Sequence, residues 1–299
     1  MIIAGHTLGT PGRDLAEALS LFKEAGLDAA EVIYQEGYPA AIDPADPGSA
    51  RSAVAAASAA GLPIVALTPY TTAINSLDQG EWQAGVDEFR ACIEAAQQVG
   101  AKRVRVYAGS WHPGDADEAA RWLRLAAALE TLSVDAVHAG VVLCVENHFG
   151  TMTQTAADTA RLVRQIDAPS VRVLYDQANL TFTHDEEWRA AFAVQGDLIS
   201  HVHVKDLVFK DPDAPFRASD TARVKAEERA VRSRVVGEGV VPWAEIVGEL
   251  VRRGYDDVLT LEYEYRWHPQ DLPDPEIGFA QSAAALRTIL DSTVVANEY

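Results

Sequence analysis

The sequence predicts a single (β/α)8 barrel spanning residues 1–299, an α/β fold of the TIM type, and three observations carry that expectation. Short β-branched runs alternate with longer Ala-rich stretches of helical periodicity along the whole chain. The runs number eight, the count at which parallel strands joined by right-handed crossovers close into a barrel. GTPG at Gly9–Gly12 does not fit the G-x-G-x-x-G pattern of an open dinucleotide-binding sheet. An open doubly wound sheet is the alternative, because alternation alone does not show closure.

In chain order, strands are expected at Ile2–Leu8, Ala30–Ile33, Pro63–Thr68, Val104–Ala108, Val141–His148, Val171–Asp176, Ile199–Lys205 and Val258–Glu264. Each is a short apolar run rich in branched residues, too short for a helix. Apolar 3–4 spacing places helices between them at Asp14–Ala25, Ser49–Ala60, Trp82–Val99, Asp117–Ala139, Gln154–Ile166, Glu186–Val194, Trp243–Arg253 and Glu276–Leu290. Gly26, Gly61, Gly100, Gly140 and Gly254 follow five of these, where a residue tolerant of positive φ stops a helix. One connection is oversized. At about 207–235 the charged run KDPDAPFRASDTARVKAEER begins at Lys210 and is read as a lid-like insertion over the barrel mouth.

Composition narrows the partners. With 25 Lys+Arg against 44 Asp+Glu, the net charge of −19 opposes nucleic acid and anionic membranes. A small-molecule substrate remains compatible with it. Cys92 and Cys144 lie in different segments without metal-type spacing and read as reduced thiols. The start MIIAGHTLGTPGRD lacks the basic and long apolar regions of a signal peptide, and no apolar run approaches the ~18 residues of a membrane span. A cytoplasmic location is expected. The Ala-rich outer helices make a homo-oligomer possible.

The chemistry is expected at the C-terminal ends of the strands, where barrels of this type carry their sites. Four consecutive strands end in VENH, YDQAN, HVHVKD and LEYE, bringing Glu146, Asp176, His203 and Glu262 towards one point. Buried charges are costly unless paired or bound to metal. Three carboxylates and one imidazole suit one divalent ion, Mn²⁺ first and Mg²⁺, Co²⁺ or Zn²⁺ as alternatives, better than a thiolate-rich structural zinc site. For each carboxylate alone, a structural ion pair is the competing explanation. Strand alternation puts His201, His203 and Lys205 on one face. His203 is nearer the mouth and is read as the ligand, His201 as an interior hydrogen-bonding residue, and Lys205 as a substrate contact with a salt bridge as its alternative. His6, Arg105 and Tyr107 are further candidates to line the pocket.

The pieces VENH, D-x-x-N at Asp176–Asn179, HVHVKD, GEG with PW at Gly237–Trp243, and the Glu262 strand together resemble the xylose-isomerase-like TIM barrel superfamily. That group of sugar (phosphate) isomerases and epimerases also takes in keto-inositol dehydratases and the AP endonuclease family 2. The resemblance implies that the Glu146, Asp176, His203 and Glu262 positions hold one divalent ion, with Glu146 and Glu262 as acid and base on opposite faces of a ketose. His148, Asn179 and Lys205 would then contact substrate.

Abstraction of a proton α to a carbonyl needs a placed carboxylate and positive charge for the enediolate. The expected activity is therefore isomerisation or epimerisation of a sugar or related polyhydroxy carbonyl compound. A lyase or dehydratase on a keto-inositol or oxidised sugar would share the same first step. Ketose epimerases resemble a D-x-x-H pattern where this chain has Asn179, which favours the wider group. A DNA-repair endonuclease would need extra histidines that this chain lacks, and its acidity opposes DNA.

Overall fold

A computed structural model describes residues 1–112, 114–184, 186–211, 213 and 229–297. Eight parallel strands form the interior: β1 (Ile2–His6), β2 (Ala29–Tyr34), β3 (Ile64–Pro69), β4 (Arg103–Val106), β5 (Val142–Glu146), β6 (Val171–Asp176), β7 (Ile199–Val204) and β8 (Val258–Leu261). Each pairs with its sequence neighbour, and β1 pairs with both β2 and β8, so the sheet closes. The chain is a (β/α)8 TIM barrel. A short strand, Ala41–Ile42, pairs in parallel with the end of β2.

Nine described helices surround the sheet: α1 (Leu15–Glu24), α2 (Ser49–Ala60), α3 (Gln79–Val99), α4 (Glu118–Ala139), α5 (Ala156–Ile166), α6 (Gln177–His184), α7 (Trp188–Gln195), α8 (Trp243–Arg252) and α9 (Pro275–Asn297). Their inward faces (Leu19 and Phe22 of α1, Phe89 and Ile93 of α3, Leu125, Leu129 and Leu132 of α4) pack on the outward Val, Ile and Leu of the strands as one continuous core. Among the described residues, no helix is long and apolar enough to cross a membrane. The sequence-predicted stop at Gly100 is an example of the helix ends: it sits at φ 80°, and its N–H returns to the carbonyls of Ala96 and Gln97.

Several element ends differ from expectation, two of them beside the site. Helix α6 begins directly at the end of β6, because the Asp176 Oδ1 accepts the Asn179 N–H at 2.9 Å and caps a helix start. The strand expected to reach Glu264 stops at Leu261, and Glu264–Arg266 form a 3-10 turn.

The oversized connection opens and closes as an antiparallel hairpin of Asp206–Phe209 with Val231–Arg234. Most of the expected lid, residues 212 and 214–228, lies outside the described residues. The hairpin is tied to the barrel by the buried carboxylate of Asp206. Its Oδ1 accepts the N–H groups of Leu207 (2.9 Å) and Val241 (3.1 Å), and its Oδ2 those of Gly237 (2.9 Å) and Gly239 (3.0 Å). A Cβ on Gly239 would stand 2.0 Å from Oδ1, so only glycine fits there. The Trp243 indole N–H donates to the Lys205 carbonyl at 3.1 Å. The GEG and PW motifs thus serve to fasten the chain beside the end of β7.

Candidate metal centre

Parallel strands that each end near one rim bring their last inward side chains together. Glu146 ends β5, Asp176 ends β6, His203 lies next to last in β7, and Glu262 follows β8. One ligand atom from each lies within 4.8 Å of those of the other three, and all four side chains are buried. Octahedral coordination at about 2.1 Å puts ligand atoms roughly 3.0 to 4.2 Å apart, so the cluster has the right size for one ion.

The hydrogen bonds sort the ligand atoms into two sets. Glu146 gives Oε2 to Arg105, whose Nε donates at 2.5 Å and whose Nη2 also bonds that oxygen. Its Oε1 faces His203 Nδ1 at 3.5 Å. Glu262 gives Oε2 to the Lys205 ammonium at 2.6 Å and turns Oε1 towards the same Nδ1 at 3.6 Å. His203 gives Nε2 to Glu31 at 3.0 Å. Asp176 gives Oδ1 to the Asn179 N–H, and its Oδ2 is 3.0 Å from Lys205 Nζ. His203 Nδ1 and Asp176 Oδ2 are buried with no hydrogen-bond partner. Each residue therefore has one atom held from outside and a second that faces a common centre, where Asn179 Nδ2 also reaches Glu146 Oε1 and Lys205 Nζ reaches Asp176 Oδ2, and that arrangement fits a bound cation.

The electrostatics agree. Burial pushes the Asp176 carboxyl up to about 7, against the pull of Lys205, as expected for an acid cluster short of positive charge. Burial acts in the same sense on Glu146, but Arg105 and His148 outweigh it and hold that carboxyl at about 2. Lys205 and His203 likewise keep Glu262 well below the ordinary carboxylate range despite burial.

The other sequence-predicted residues surround this centre. Arg105 is buried between the rings of Tyr70 (5.2 Å) and Tyr107 (4.8 Å), with Nη1 unpartnered. Asn179 donates Nδ2 to Glu146 Oε1 at 3.3 Å. Lys205 bridges Asp176, Glu262 and Glu264. His148 packs against Tyr107 and Phe149, and burial lowers its pKa to about 4. His6 is buried, with Nδ1 accepting the Leu8 N–H at 3.0 Å. His201 lies in the interior, its Nε2 2.7 Å from Glu31.

Glu31 is the site residue that sequence reasoning passed over. Its signal was present: it is the one charged residue in AAEVIY, an otherwise apolar strand.

The xylose isomerase-like TIM barrel profile matches residues 19–289. This chain belongs to that family. Within it, inosose dehydratase from Lacticaseibacillus casei is 29% identical over 143 residues, 48% of this chain and 47% of that protein. The match thus spans about half the length of the curated relative. A structure of L-ribulose 3-epimerase superposes with TM-score 0.77 at 19% identity, covering 99% of this chain and 97% of that one. A xylose isomerase-like TIM barrel protein from Mycobacterium smegmatis, in complex with magnesium, superposes with TM-score 0.75 at 17% identity, covering 98% and 97%. At these identities the structural likeness is one of fold.

Proposed function

We propose that this barrel is a divalent-metal-dependent isomerase or epimerase of an uncharged sugar or related polyhydroxy carbonyl compound. The single observation that supports it best is the division of ligand atoms: four residues held from outside, each with one atom directed to a shared centre. The donor set suits Mn²⁺ first, with Mg²⁺, Co²⁺ and Zn²⁺ as alternatives. A bound ion would supply the positive charge that an enediolate needs.

The chain's own residues would do the rest. Glu146 and Glu262 act as acid and base on the carbon α to the carbonyl. Lys205, 2.6 Å from Glu262 Oε2, can hold a substrate oxygen or pass on the abstracted proton. Arg105 Nη1, His148, Asn179, Tyr107 and His6 line the pocket as substrate contacts.

Charge favours a neutral substrate. Among the described residues Glu31, Glu146, Asp176, Glu262 and Glu264 surround the centre, against Arg105 and Lys205, and both cations are already paired with carboxylates. A divalent ion leaves no surplus positive charge for a phosphate, and an unpaired anion in a buried site is costly.

A lyase or dehydratase on a keto-inositol or oxidised sugar is the second reading. The match to inosose dehydratase and the D-x-x-N at Asp176–Asn179 favour it. Solvent-deuterium exchange followed by NMR separates the two. Ketoses, keto-inositols and their phosphates are incubated with the Mn²⁺-loaded protein and again after chelation. Metal-dependent exchange α to a carbonyl with rearrangement supports isomerisation, and exchange with loss of water supports the lyase. Absence of exchange with every compound, despite stoichiometric metal, overturns both.

A further inference from the structure

Glu31 lies on β2 and is fully buried. Its two oxygens are the hub of a polar network. Oε1 accepts from His203 Nε2 (3.0 Å) and from the Thr68 hydroxyl (2.5 Å). Oε2 accepts from His201 Nε2 (2.7 Å), which also lies 3.2 Å from the Thr260 hydroxyl.

His6, Glu31 and His203 also have the spacing of a second metal site. Hydrogen-bond accounting decides between the two uses. His6 Nδ1 accepts the Leu8 N–H, so the ring proton of neutral His6 sits on Nε2. That Nε2–H can donate to Thr68 Oγ1 at 3.2 Å, leaving the Thr68 hydrogen for Glu31. Every polar atom of the cluster except His203 Nδ1 then has a partner without an ion. The same assignment puts the His203 proton on Nε2 and its lone pair on Nδ1, the atom that faces Glu146 and Glu262.

We infer that Glu31 is a positioning residue: its carboxylate fixes the tautomer and ring orientation of His203, so that Nδ1 is presented to the metal centre. The inference rests on the metal-centre reading. Loss of an outer partner of a metal-ligating histidine typically costs 10–100-fold in metal affinity. Glu31→Gln keeps the shape but cannot accept from His201 and His203 together, since one side of the amide is a donor.

The test is Mn²⁺ affinity of the full-length protein by chelator competition, with thermal unfolding of the metal-free protein as the check on folding. Glu31→Gln should bind roughly ten-fold or more weaker at one ion per chain. Wild-type-like affinity in Glu31→Gln overturns the inference, as does a stoichiometry of two in the wild type. Failure of the wild-type protein to bind Mn²⁺ at all sinks the metal-centre reading itself. If Glu31→Gln does not fold, ¹⁵N NMR of the Mg²⁺-loaded wild-type protein decides. A proton on His203 Nε2 with Nδ1 bare is the expected result, and the opposite tautomer refutes the assignment.

Discussion

Strands β5–β8 and strands β1–β4 line the same interior, but they contribute different kinds of atom. From the second half come Glu146, Asp176, His203 and Glu262, whose inward atoms face one point. From the first half come Arg105 on β4, which grips Glu146, and Glu31 on β2, which grips His203, with Thr68 and His6 behind Glu31. One half presents the candidate ligands and the other holds them. The exceptions are Lys205, which follows β7 and restrains Asp176 and Glu262, and Asn179 of α6, which holds Asp176 Oδ1, both from within the ligand half. A site divided in this way can keep its ligands preorganised while only one atom of each is exposed to chemistry.

The comparison can be broken most sharply in the ligand half. Glu262→Gln at saturating Mn²⁺ should lower α-deuterium exchange by about 10²–10⁴-fold. Normal exchange with metal bound would remove Glu262 from the acid–base role. Arg105→Met tests a holder. It leaves Glu146 buried without its cation, and removal of one member of a buried pair costs about 3–5 kcal/mol. The loss should appear in urea unfolding of the metal-free protein and shrink when Mn²⁺ is added. An unchanged unfolding midpoint would mean that Arg105 does not hold Glu146 in solution.

Glu31→Gln falls next in size, through metal affinity as set out above. The mildest is Thr68→Val, which removes one of three donors to Glu31. It should cost about 1 kcal/mol of stability and change Mn²⁺ affinity only a few-fold. A loss as large as that of Glu31→Gln would place Thr68, rather than the carboxylate, at the centre of the network.

The division also explains what the sequence made visible. The candidate ligand positions are legible because they stand at strand ends, four in succession, in a fold whose mouth is known from its alternation. Eight strands followed from the same pattern; their number favoured closure, which alternation alone did not show. The pairings among inward groups were not legible. Arg105 was expected as a pocket residue, yet its guanidinium is already spent largely on Glu146, across the adjacent strand at Arg105↔Cys144 register. Glu31 meets Thr68, His201 and His203 only after closure, at sequence separations of 37, 170 and 172. An isolated acid in an apolar strand does not say which of many distant groups it will find. Helix α6 was missed for a local reason, since its start depends on the cap that Asp176 supplies to Asn179.

The Asp206 carboxylate has a consequence for how the protein can change. Four main-chain N–H groups on one side chain fix where the polypeptide leaves the barrel after Lys205 and where it returns before Trp243. Exit and return are thereby set by the barrel and not by the residues that run between them. Doubling the length of such an excursion adds only about 0.6 kcal/mol of closure entropy. Changes in the number of residues between Phe209 and Val231 are therefore expected to leave the exit and return points in place.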